Sequence, residues 1–359
     1  MRVLHLASAD RWTGAAAPAY FEVAALRAAG IDAIYGFVRG YTLQQRIASI
    51  DWAFPLIARR QDPLTFLRTG RAIRRLLRER NIDVVHAHLT HDHSIALWAS
   101  RGLPTRVVRT YHSTRAIRDD LVSRQTRSRT AAICVINESF LGNPVIASRH
   151  PVFTPPPIDH TFFRPGDESV RAERGIERNA TVIGFIGKMV PGRGFEQAIE
   201  TFALLASDDP GARLLVVAKW SPHRELLDPL ASSLGIADRI IWAGYQDDDD
   251  LVAHFRAMSL MLFTAPGSDE GHRAIPEAMA CGVPVATFPL PGTGAITGPL
   301  SDRLVSASAT PDSLAATART LLSGDRASLT AFCVERTRAF AFEPTAARLL
   351  DLYASLETS

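Results

Sequence analysis

The residues with the clearest potential for chemistry lie between positions 267 and 287. Three acids occur there: Asp269, Glu270 and Glu277. Glu277 follows Pro276, a residue suited to the first turn of a helix, and Gly282 is placed to end that helix before an apolar strand. A carboxylate in the first turn is stabilised by the helix dipole. Glu277 can therefore be a ligand-binding group at a strand-to-helix turn or a simple capping acid on a surface helix.

A second segment, from Ile183 to Phe195, combines glycines with two cations, Lys188 and Arg193. Its glycines allow the backbone to approach phosphates closely: Gly187, Gly192 and Gly194. Lys188 is one of only two lysines in a chain that otherwise uses arginine. The two cations predict phosphate binding, and the alternative is a pair of solvated surface cations beside a turn.

Apolar strands alternate with amphipathic helices in both halves of the chain, which predicts βα units and mostly parallel sheets. Strands are predicted at Arg2–Ala7, Asp32–Val38, Asp83–Ala87, Arg106–Tyr111, Ala131–Ile136, Val182–Ile186, Arg213–Ala218, Ile240–Ala243, Leu260–Thr264 and Val283–Phe288. Helices are predicted at Ala15–Ala29, Leu64–Arg80, Asp92–Arg101, Arg115–Ser128, Phe195–Ala206, Arg224–Leu234 and Leu251–Met258. The proline-rich segment 155–165 cannot continue a helix or a central strand. We therefore expect a first domain over 1–160, a second over 161–340, and a C-terminal helix over 341–359 that packs back on the first.

The segment 267–287 resembles the signature of retaining family 4 glycosyltransferases, in which two acids with seven residues between them precede Ala-Met-Ala-x-Gly-x-Pro-Val. Here Glu277-Ala-Met-Ala-Cys-Gly-Val-Pro-Val matches closely. The resemblance implies that Glu277 binds the ribose of a nucleotide. It implies that the first acid binds hydroxyls of the donor sugar. Counting back places that acid at Asp269, whereas Glu270 is one residue nearer, so either residue can fill the role.

Other segments of the second half resemble the same family. The strand and loop 183–195 are similar to those in which the family places an Arg and a Lys on the donor diphosphate. Here Lys188 stands at the family's Arg position and Arg193 at its Lys position. The turn at Pro291–Ile296 occupies the place of a Gly-rich turn that offers backbone N–H groups to the diphosphate, through Gly292, Thr293 and Gly294. Tyr245 follows the strand whose turn lies near the nucleotide base, although a tyrosine there can simply be a packing residue.

The first half is expected to bind the acceptor. Gly14 lies where the family has a Gly-rich loop after the first strand. Tyr111-His112-Ser113 resembles the family's Thr-x-His-Gly, which places His112 near the donor sugar. A histidine run from His86 to His93 suggests a metal cluster, but strand alternation sends only His86 and His88 to one face. Asp247 to Asp250 are interpreted as a helix N-terminus and not as a metal site.

The predicted helix 64–80 carries a basic face with five arginines: Arg68, Arg71, Arg74, Arg75 and Arg78. Such a face is either solvated or bound to an anionic membrane surface. Nucleic acid is not an expected partner, since the arginines have no interleaved aromatic residues.

Composition indicates an ordinary globular protein, with 47% hydrophobic and 21% charged residues among 359 and three widely spaced cysteines. Residues 1–160 hold 22 Arg, no Lys and 12 acids, a balance of +10, and the remainder has a balance of −7. Such a split suggests different partners for the two halves. No apolar run is long enough for a spanning helix, and we expect a cytoplasmic protein, peripheral at the membrane if the basic helix binds lipid.

The resemblance implies an α/β fold of two facing Rossmann-like domains, the GT-B fold, with an interdomain cleft. It implies a metal-independent retaining hexosyl- or N-acetylhexosaminyl-type transferase that uses a nucleoside-diphosphate sugar, with a UDP-sugar favoured over a GDP-sugar. The acceptor is expected to be a glycan or a lipid-linked molecule in glycan, polysaccharide or glycolipid biosynthesis. The alternatives are a nucleotide-sugar epimerase on the same scaffold and a non-catalytic nucleotide-sugar-binding partner subunit.

Overall fold

The computed structural model describes residues 1–60, 62–167, 169–246, 248–265 and 270–356, and it divides the chain into two compact units. The first unit comprises residues 1–157, 268–271 and 340–359, and the second comprises residues 158–267 and 272–339. Each unit is built on one parallel sheet with interleaved helices. The predicted α/β class is therefore confirmed.

The first unit contains a seven-stranded sheet in the order β3-β2-β1-β4-β5-β6-β7. The strands are β1 Arg2–Leu6, β2 Asp32–Val38, β3 Ala53–Ile57, β4 Val84–Ala87, β5 Arg106–Tyr111, β6 Ala132–Val135 and β7 Val152–Phe153. The helices that precede the second unit are α1 Ala16–Ala28, α2 Thr42–Arg46, α3 Pro63–Glu79, α4 Thr90–Ala99 and α5 Leu121–Ser128. The order of the strands reverses between β1 and β4, the position where ligands bind at the carboxyl ends of open α/β sheets.

The second unit contains a five-stranded sheet in the order β10-β9-β8-β11-β12. Its strands are β8 Val182–Ile186, β9 Arg213–Val217, β10 Ile240–Gly244, β11 Leu260–Phe263 and β12 Val285–Thr287. Its helices are α6 Ser169–Glu173, α7 Phe195–Asp208, α8 Arg224–Ser233, α9 Asp248–Arg256, α10 Ala274–Ala280, α11 Thr293–Thr297, α12 Ser301–Leu304, α13 Pro311–Ser323 and α14 Arg326–Thr337. Here the order reverses between β8 and β11.

The last helix, α15 Phe342–Ser355, belongs to the first unit and packs on α1. Its Leu349 and Tyr353 are buried in the same apolar cluster as Val23 and Leu26 of α1. Tyr353 is fully buried, so the C-terminal helix completes the core of a unit whose other elements end some 200 residues earlier in the chain.

Some predicted elements are wrong in their extent. The helix predicted over Arg115–Ser128 is a 3₁₀ turn at Thr114–Ala116 followed by α5, which begins at Leu121. The reason is a cap, because the Asp120 side chain accepts a hydrogen bond from the Ser123 N–H and starts the helix there. The strands β3 and β7 were not predicted, since one contains Pro55 and the other has only two residues.

Candidate functional site

The loop after β8 forms an open helix N-terminus in the second unit. Gly192 and Gly194 have positive φ angles of 73° and 74°, and α7 begins directly after them at Phe195. Lys188 is exposed at the start of this loop, and the partly buried Arg193 lies near its end. Free N–H groups at a helix N-terminus, together with the helix dipole and two cations, form a site that attracts phosphate.

Gly194 also brings this loop close to the end of β11, the strand beside β8 where the strand order reverses. The Thr264 hydroxyl, just after β11, donates a hydrogen bond of 2.7 Å to the Gly194 carbonyl. A Cβ at position 194 would lie 2.1 Å from Thr264 Oγ1, closer than any side chain tolerates. The glycine is therefore required by its backbone angle and by the close approach of Thr264.

Glu277 lies in the first turn of α10 and is 4% exposed. Arg273, one turn earlier, contacts it with 3.1 Å between Arg273 Nε and Glu277 Oε1. A carboxylate buried to this degree needs such a partner to remain charged. The structure thus places Glu277 at the positive end of a helix at the carboxyl edge of the sheet, between β11 and β12 in the chain.

The turn after β12 leads into the five-residue helix α11. Gly292 precedes this helix with a φ of 86°, Thr293 is buried with its hydroxyl bonded to the Leu290 carbonyl at 2.7 Å, and Gly294 is exposed. His272, which the sequence did not single out, lies 2.8 Å from the Pro291 carbonyl through its Nε2. His272 therefore links the segment before α10 to this turn, and no local pattern in the sequence indicated the contact.

Tyr245 follows β10, the outermost strand on one side of the sheet, and is 60% exposed. Strand β9 lies between β10 and β8, so about 10 Å separates β10 from the strand that leads to Lys188. Gly187 remains in contact with the sheet through its N–H, which bonds the Val217 carbonyl at 3.2 Å. The sheet therefore brings the loops after β8, β11 and β12 together, and it places Tyr245 at the periphery.

In the first unit, Glu270 contacts the residues after β5. Its Oε1 accepts hydrogen bonds from Ser113 Oγ at 2.5 Å and from the Thr114 N–H at 3.2 Å. Asn137 Nδ2 donates to the Glu270 carbonyl at 2.7 Å, and Glu270 has a positive φ of 52°. Asp269, the other candidate for the first acid, lies outside the described residues. Ser113 and Asn137 were not predicted because their contact with Glu270 joins residues more than 130 positions apart.

His112 lies directly after β5 and is 5% exposed. Its Nε2 is 3.1 Å from His88 Nδ1, and burial, followed by the charge of Arg109, lowers the pKa of His112 to about 3. His112 is therefore neutral at physiological pH. It borders a cavity of about 220 Å³ that Gly14 also lines, so the structure brings these two predicted residues to one place.

His86 and His88 belong to a buried polar cluster with His5, Glu22 and Tyr353. His5 Nδ1 is 3.0 Å from His88 Nε2, and the Tyr353 hydroxyl is 3.1 Å from His5 Nε2 and 2.7 Å from His86 Nδ1. Glu22 Oε2 is 3.5 Å from His5 Nδ1 and 3.6 Å from His88 Nε2. The cluster reaches the 220 Å³ cavity through His88.

This cluster also has the composition of a metal site, because the ligand atoms of His5, Glu22, His86 and His88 lie within 4.8 Å of one another. Burial raises the pKa of Glu22 to about 8, so this carboxyl is mostly protonated near neutral pH. The imidazoles of His5 and His88 are bonded to each other, and those of His5 and His86 to Tyr353, whereas Glu22 Oε2 has no hydrogen-bond partner among the described residues. The sequence missed His5 and Glu22, although the parallel pairing of His5 with His86 follows from the sheet register.

The remaining polar candidates lie apart from these groups. His93 Nε2 is 2.9 Å from Thr130 Oγ1, and His91 is only half-buried. Asp249 and Asp250 lie in the first turn of α9, in agreement with their interpretation as a helix N-terminus, while Asp247 lies outside the described residues.

The basic helix α3 begins after Asp62, whose side chain caps the Thr65 N–H at 2.9 Å. Its buried side includes Ile73 and Leu77, and Arg74 donates to the carbonyls of Ala99 and Arg101. The other four arginines of the basic face are exposed: Arg68, Arg71, Arg75 and Arg78. Within the described ranges, no helix has the length and apolarity needed to span a membrane.

Two family models match this chain, one in each half. The model described as "Glycosyltransferase Family 4" matches residues 19–140, and the model described as "Glycosyl transferases group 1" matches residues 167–339.

Curated relatives and solved structures agree with these matches. A D-inositol 3-phosphate glycosyltransferase of Rhodococcus opacus is 34% identical over 209 residues, which cover 55% of this chain and 46% of that protein. A relative of the same name from Acidothermus cellulolyticus is 32% identical over 210 residues. The chain thus spans about half the length of the curated relatives that it matches.

Among solved structures, a glycosyltransferase from Rickettsia africae has a TM-score of 0.82 at 15% identity, and the match covers 99% of this chain and 98% of the Rickettsia chain. Anabaena Alr3699/HepE in complex with UDP has a TM-score of 0.79 at 16% identity, and the match covers 99% of this chain and 100% of the Anabaena chain. At these identities the likeness shows the fold.

Proposed function

We propose that this chain, which belongs to the family 4 glycosyltransferases and has the GT-B architecture, transfers a sugar from a nucleoside-diphosphate sugar to a hydroxyl acceptor with retention of configuration. The observation that carries the proposal is the loop after β8. It combines an open helix N-terminus with exposed Lys188 and partly buried Arg193. This combination suits a diphosphate, and a solved neighbour that shares the fold binds UDP.

Charge develops on the leaving diphosphate as the glycosidic bond breaks. In our proposal Lys188 and Arg193 stabilise that charge, which is the role that preorganised cations fill in phosphoryl and glycosyl transfer. The leaving phosphate takes the proton of the acceptor hydroxyl on the same face of the sugar. The two cations replace a divalent metal in this scheme, so we propose a metal-independent reaction with a UDP-sugar in preference to a GDP-sugar.

The acids divide between nucleotide and sugar. We assign Glu277 to the ribose because Arg273 keeps its carboxylate oriented in the first turn of α10. We assign binding of the donor sugar to Asp269 or Glu270. Glu270 uses Oε1 for Ser113 and for the Thr114 N–H. Its Oε2 accepts, among the residues that the structure describes, only from Thr114 Oγ1 at 3.2 Å, which leaves capacity for a sugar hydroxyl.

The acceptor in this proposal is a hydroxyl on a glycan, a lipid-linked molecule or a phosphorylated polyol. The last class is suggested by relatives named D-inositol 3-phosphate glycosyltransferase. A lipid-linked acceptor would give the exposed arginines of α3 a use at an anionic membrane surface, where each adds about 1 kcal/mol.

The two lysines of the chain provide the test. Lys188→Ala removes a phosphate contact, whereas Lys219→Ala removes an exposed lysine after β9 and serves as the matched control. We expect UDP affinity in isothermal titration to fall at least about tenfold in Lys188→Ala, since a charge-assisted phosphate contact contributes about 1.5–3 kcal/mol. Lys219→Ala should bind UDP like the unsubstituted protein. Equal affinities in both variants would contradict the assignment.

A further inference from the structure

The 220 Å³ cavity of the first unit lies at the carboxyl ends of β1, β4 and β5, where the strand order reverses. Its wall is formed by the loop before α1, by the start of α4 and by the end of β5. The lining residues include Gly14 from the loop before α1, Thr90 from α4, Arg109 from β5, and His112 directly after β5. Open α/β sheets bind ligands at this position, so the place of the cavity in the fold already favours a ligand.

Arg109 is the unusual residue of this wall. It is 2% exposed, and its Nε and Nη1 have no hydrogen-bond partner among the described residues. Its Cζ lies 5.1 Å from the centre of the Tyr111 ring, a contact that leaves the N–H groups free. A buried guanidinium without an anionic partner costs several kcal/mol, so a protein that retains one is expected to pair it with a ligand.

The nearby acid does not fill this need. Asp92 Oδ1 accepts from Ser8 Oγ at 3.0 Å, and Oδ2 accepts from the His88 N–H at 2.9 Å. Both oxygens also accept from the Leu89 N–H. Asp92 does not line the cavity and forms no ion pair with Arg109 among the described contacts, although its charge acts on the pKa of Arg109. The carboxylate is therefore used to fix the start of α4.

Two helices begin at the cavity. Ala15 precedes the 13-residue helix α1, and Leu89 precedes the 10-residue helix α4, and both residues line the wall. Each helix N-terminus carries about half a positive charge. Two converging helix N-termini and a buried guanidinium give the cavity a positive potential that suits a small anion.

His112 can add a hydrogen-bond donor. Its Nδ1 is buried without a partner among the described residues, while Nε2 is bonded to His88. The chain Tyr353, His5, His88 and His112 is satisfied when each imidazole carries its proton on Nδ1, and equally when each carries it on Nε2. An anion in the cavity would select the first arrangement, because it directs the His112 Nδ1–H at the ligand.

We propose that this cavity is an anion subsite that binds one phosphate group, with Arg109 as its counter-charge. Ser113 takes no part in it, since its hydroxyl is bonded to Glu270. The subsite deepens the proposed transfer reaction, on which its biological role rests. The phosphate can come from the acceptor or from the donor's diphosphate, and the two sources share this chemistry.

Binding of inorganic phosphate by the full-length protein tests the subsite without turnover. We expect a dissociation constant measurable by isothermal titration, at least about tenfold weaker in Arg109→Gln and partly restored in Arg109→Lys. Arg106→Gln, which removes an exposed arginine from the start of the same strand, is the matched control and should bind phosphate normally. Circular dichroism establishes that each variant is folded.

Two outcomes would overturn the subsite: no phosphate binding by the folded, unsubstituted protein, or equal binding in Arg109→Gln. Competition with UDP separates the sources. If saturating UDP leaves phosphate affinity unchanged, the subsite serves the acceptor, and if UDP displaces phosphate and loses affinity in Arg109→Gln, it serves the donor. UDP binding that depends on Lys188 alongside absent phosphate binding would refute the subsite alone. If UDP instead binds Lys188→Ala as tightly as the unsubstituted protein, the proposed function is refuted.

Discussion

At the scale of single residues, the two proposed anion sites depend on few charged side chains: Lys188 and Arg193 in the second unit, and Arg109 in the first. Lys188, Arg193 and Glu277 are recognisable because glycines and a helix start surround them within a few positions. Arg109 stands in an apolar strand next to Tyr111 and gives no local signal. Its significance comes from burial beside two helix starts that are distant in the chain.

Gly194 allows a prediction at this scale. We expect Gly194→Ala to lower the free energy of unfolding by about 1–3 kcal/mol, because the residue has a positive φ and a Cβ would meet Thr264 Oγ1 at 2.1 Å. Gly235→Ala is the control, since Gly235 also has a positive φ of 68° but nothing lies within 4 Å of an added Cβ. Urea denaturation measures both variants. A cost for Gly194→Ala no larger than that of Gly235→Ala would show that Thr264 does not constrain the loop.

At the scale of elements, hydrophobic alternation predicts the central strands and the amphipathic helices, because each buries one recognisable face or run. It misses edge strands and local caps. The strand β3 contains a proline at the edge of the sheet, and α5 begins where Asp120 caps it and not where its pattern begins. The histidine cluster is likewise a property of paired strands, since β1 and β4 place His5 beside His86.

The buried histidines predict how stability depends on pH. Burial lowers the pKa of His5, His93 and His112 to about 3 and also lowers the pKa of His86 and His88. Their ordinary pKa in the unfolded chain is about 6.5. Between about pH 6.5 and 3 the unfolded chain therefore binds more protons than the folded protein. Each such histidine lowers the free energy of unfolding by on the order of 1 kcal/mol for each unit that the pH falls.

Two carboxyls act in the opposite direction, because burial raises the pKa of Glu22 to about 8 and that of Asp92 to about 6. Their contribution is lost as the pH rises through these values. Since five histidines outnumber two carboxyls, we expect the free energy of unfolding to fall between pH 6.5 and 5. His93→Asn should reduce this slope in denaturation curves, while His150→Asn, at an exposed position with positive φ, should leave it unchanged. A slope that is flat in the unsubstituted protein would contradict the buried, neutral state of these five histidines.

The basic face of α3 carries a separate prediction. The triple variant Arg68→Gln, Arg71→Gln, Arg78→Gln removes three exposed charges. If the face binds an anionic surface, co-sedimentation with phosphatidylglycerol vesicles should weaken by about two orders of magnitude, at about 1 kcal/mol per arginine, and the binding should fall with salt. Phosphatidylcholine vesicles are the control. Equal binding to both lipids would assign the face to solvent.

At the scale of the whole molecule, the change of pattern at the proline-rich segment indicates two α/β units, and the family matches fall on either side of it. The sequence predicts a C-terminal helix that packs on the first domain, but it does not identify Tyr353 as the residue that contacts His5 and His86 across more than 260 positions. Such long-range pairing follows from the closure of the fold and has no local signature.

At this scale the proposed reaction couples release of the nucleotide to formation of a glycoside, so the most direct test is product analysis with a panel of nucleotide sugars and hydroxyl acceptors. The protein is incubated with each α-linked donor, and the product's anomeric configuration is read from its NMR coupling constant. We predict an α-linked glycoside together with UDP. A donor that binds in a Lys188-dependent manner but yields only an epimerised nucleotide sugar, or no product with any acceptor, would contradict the transferase assignment, and a β-linked glycoside would contradict retention.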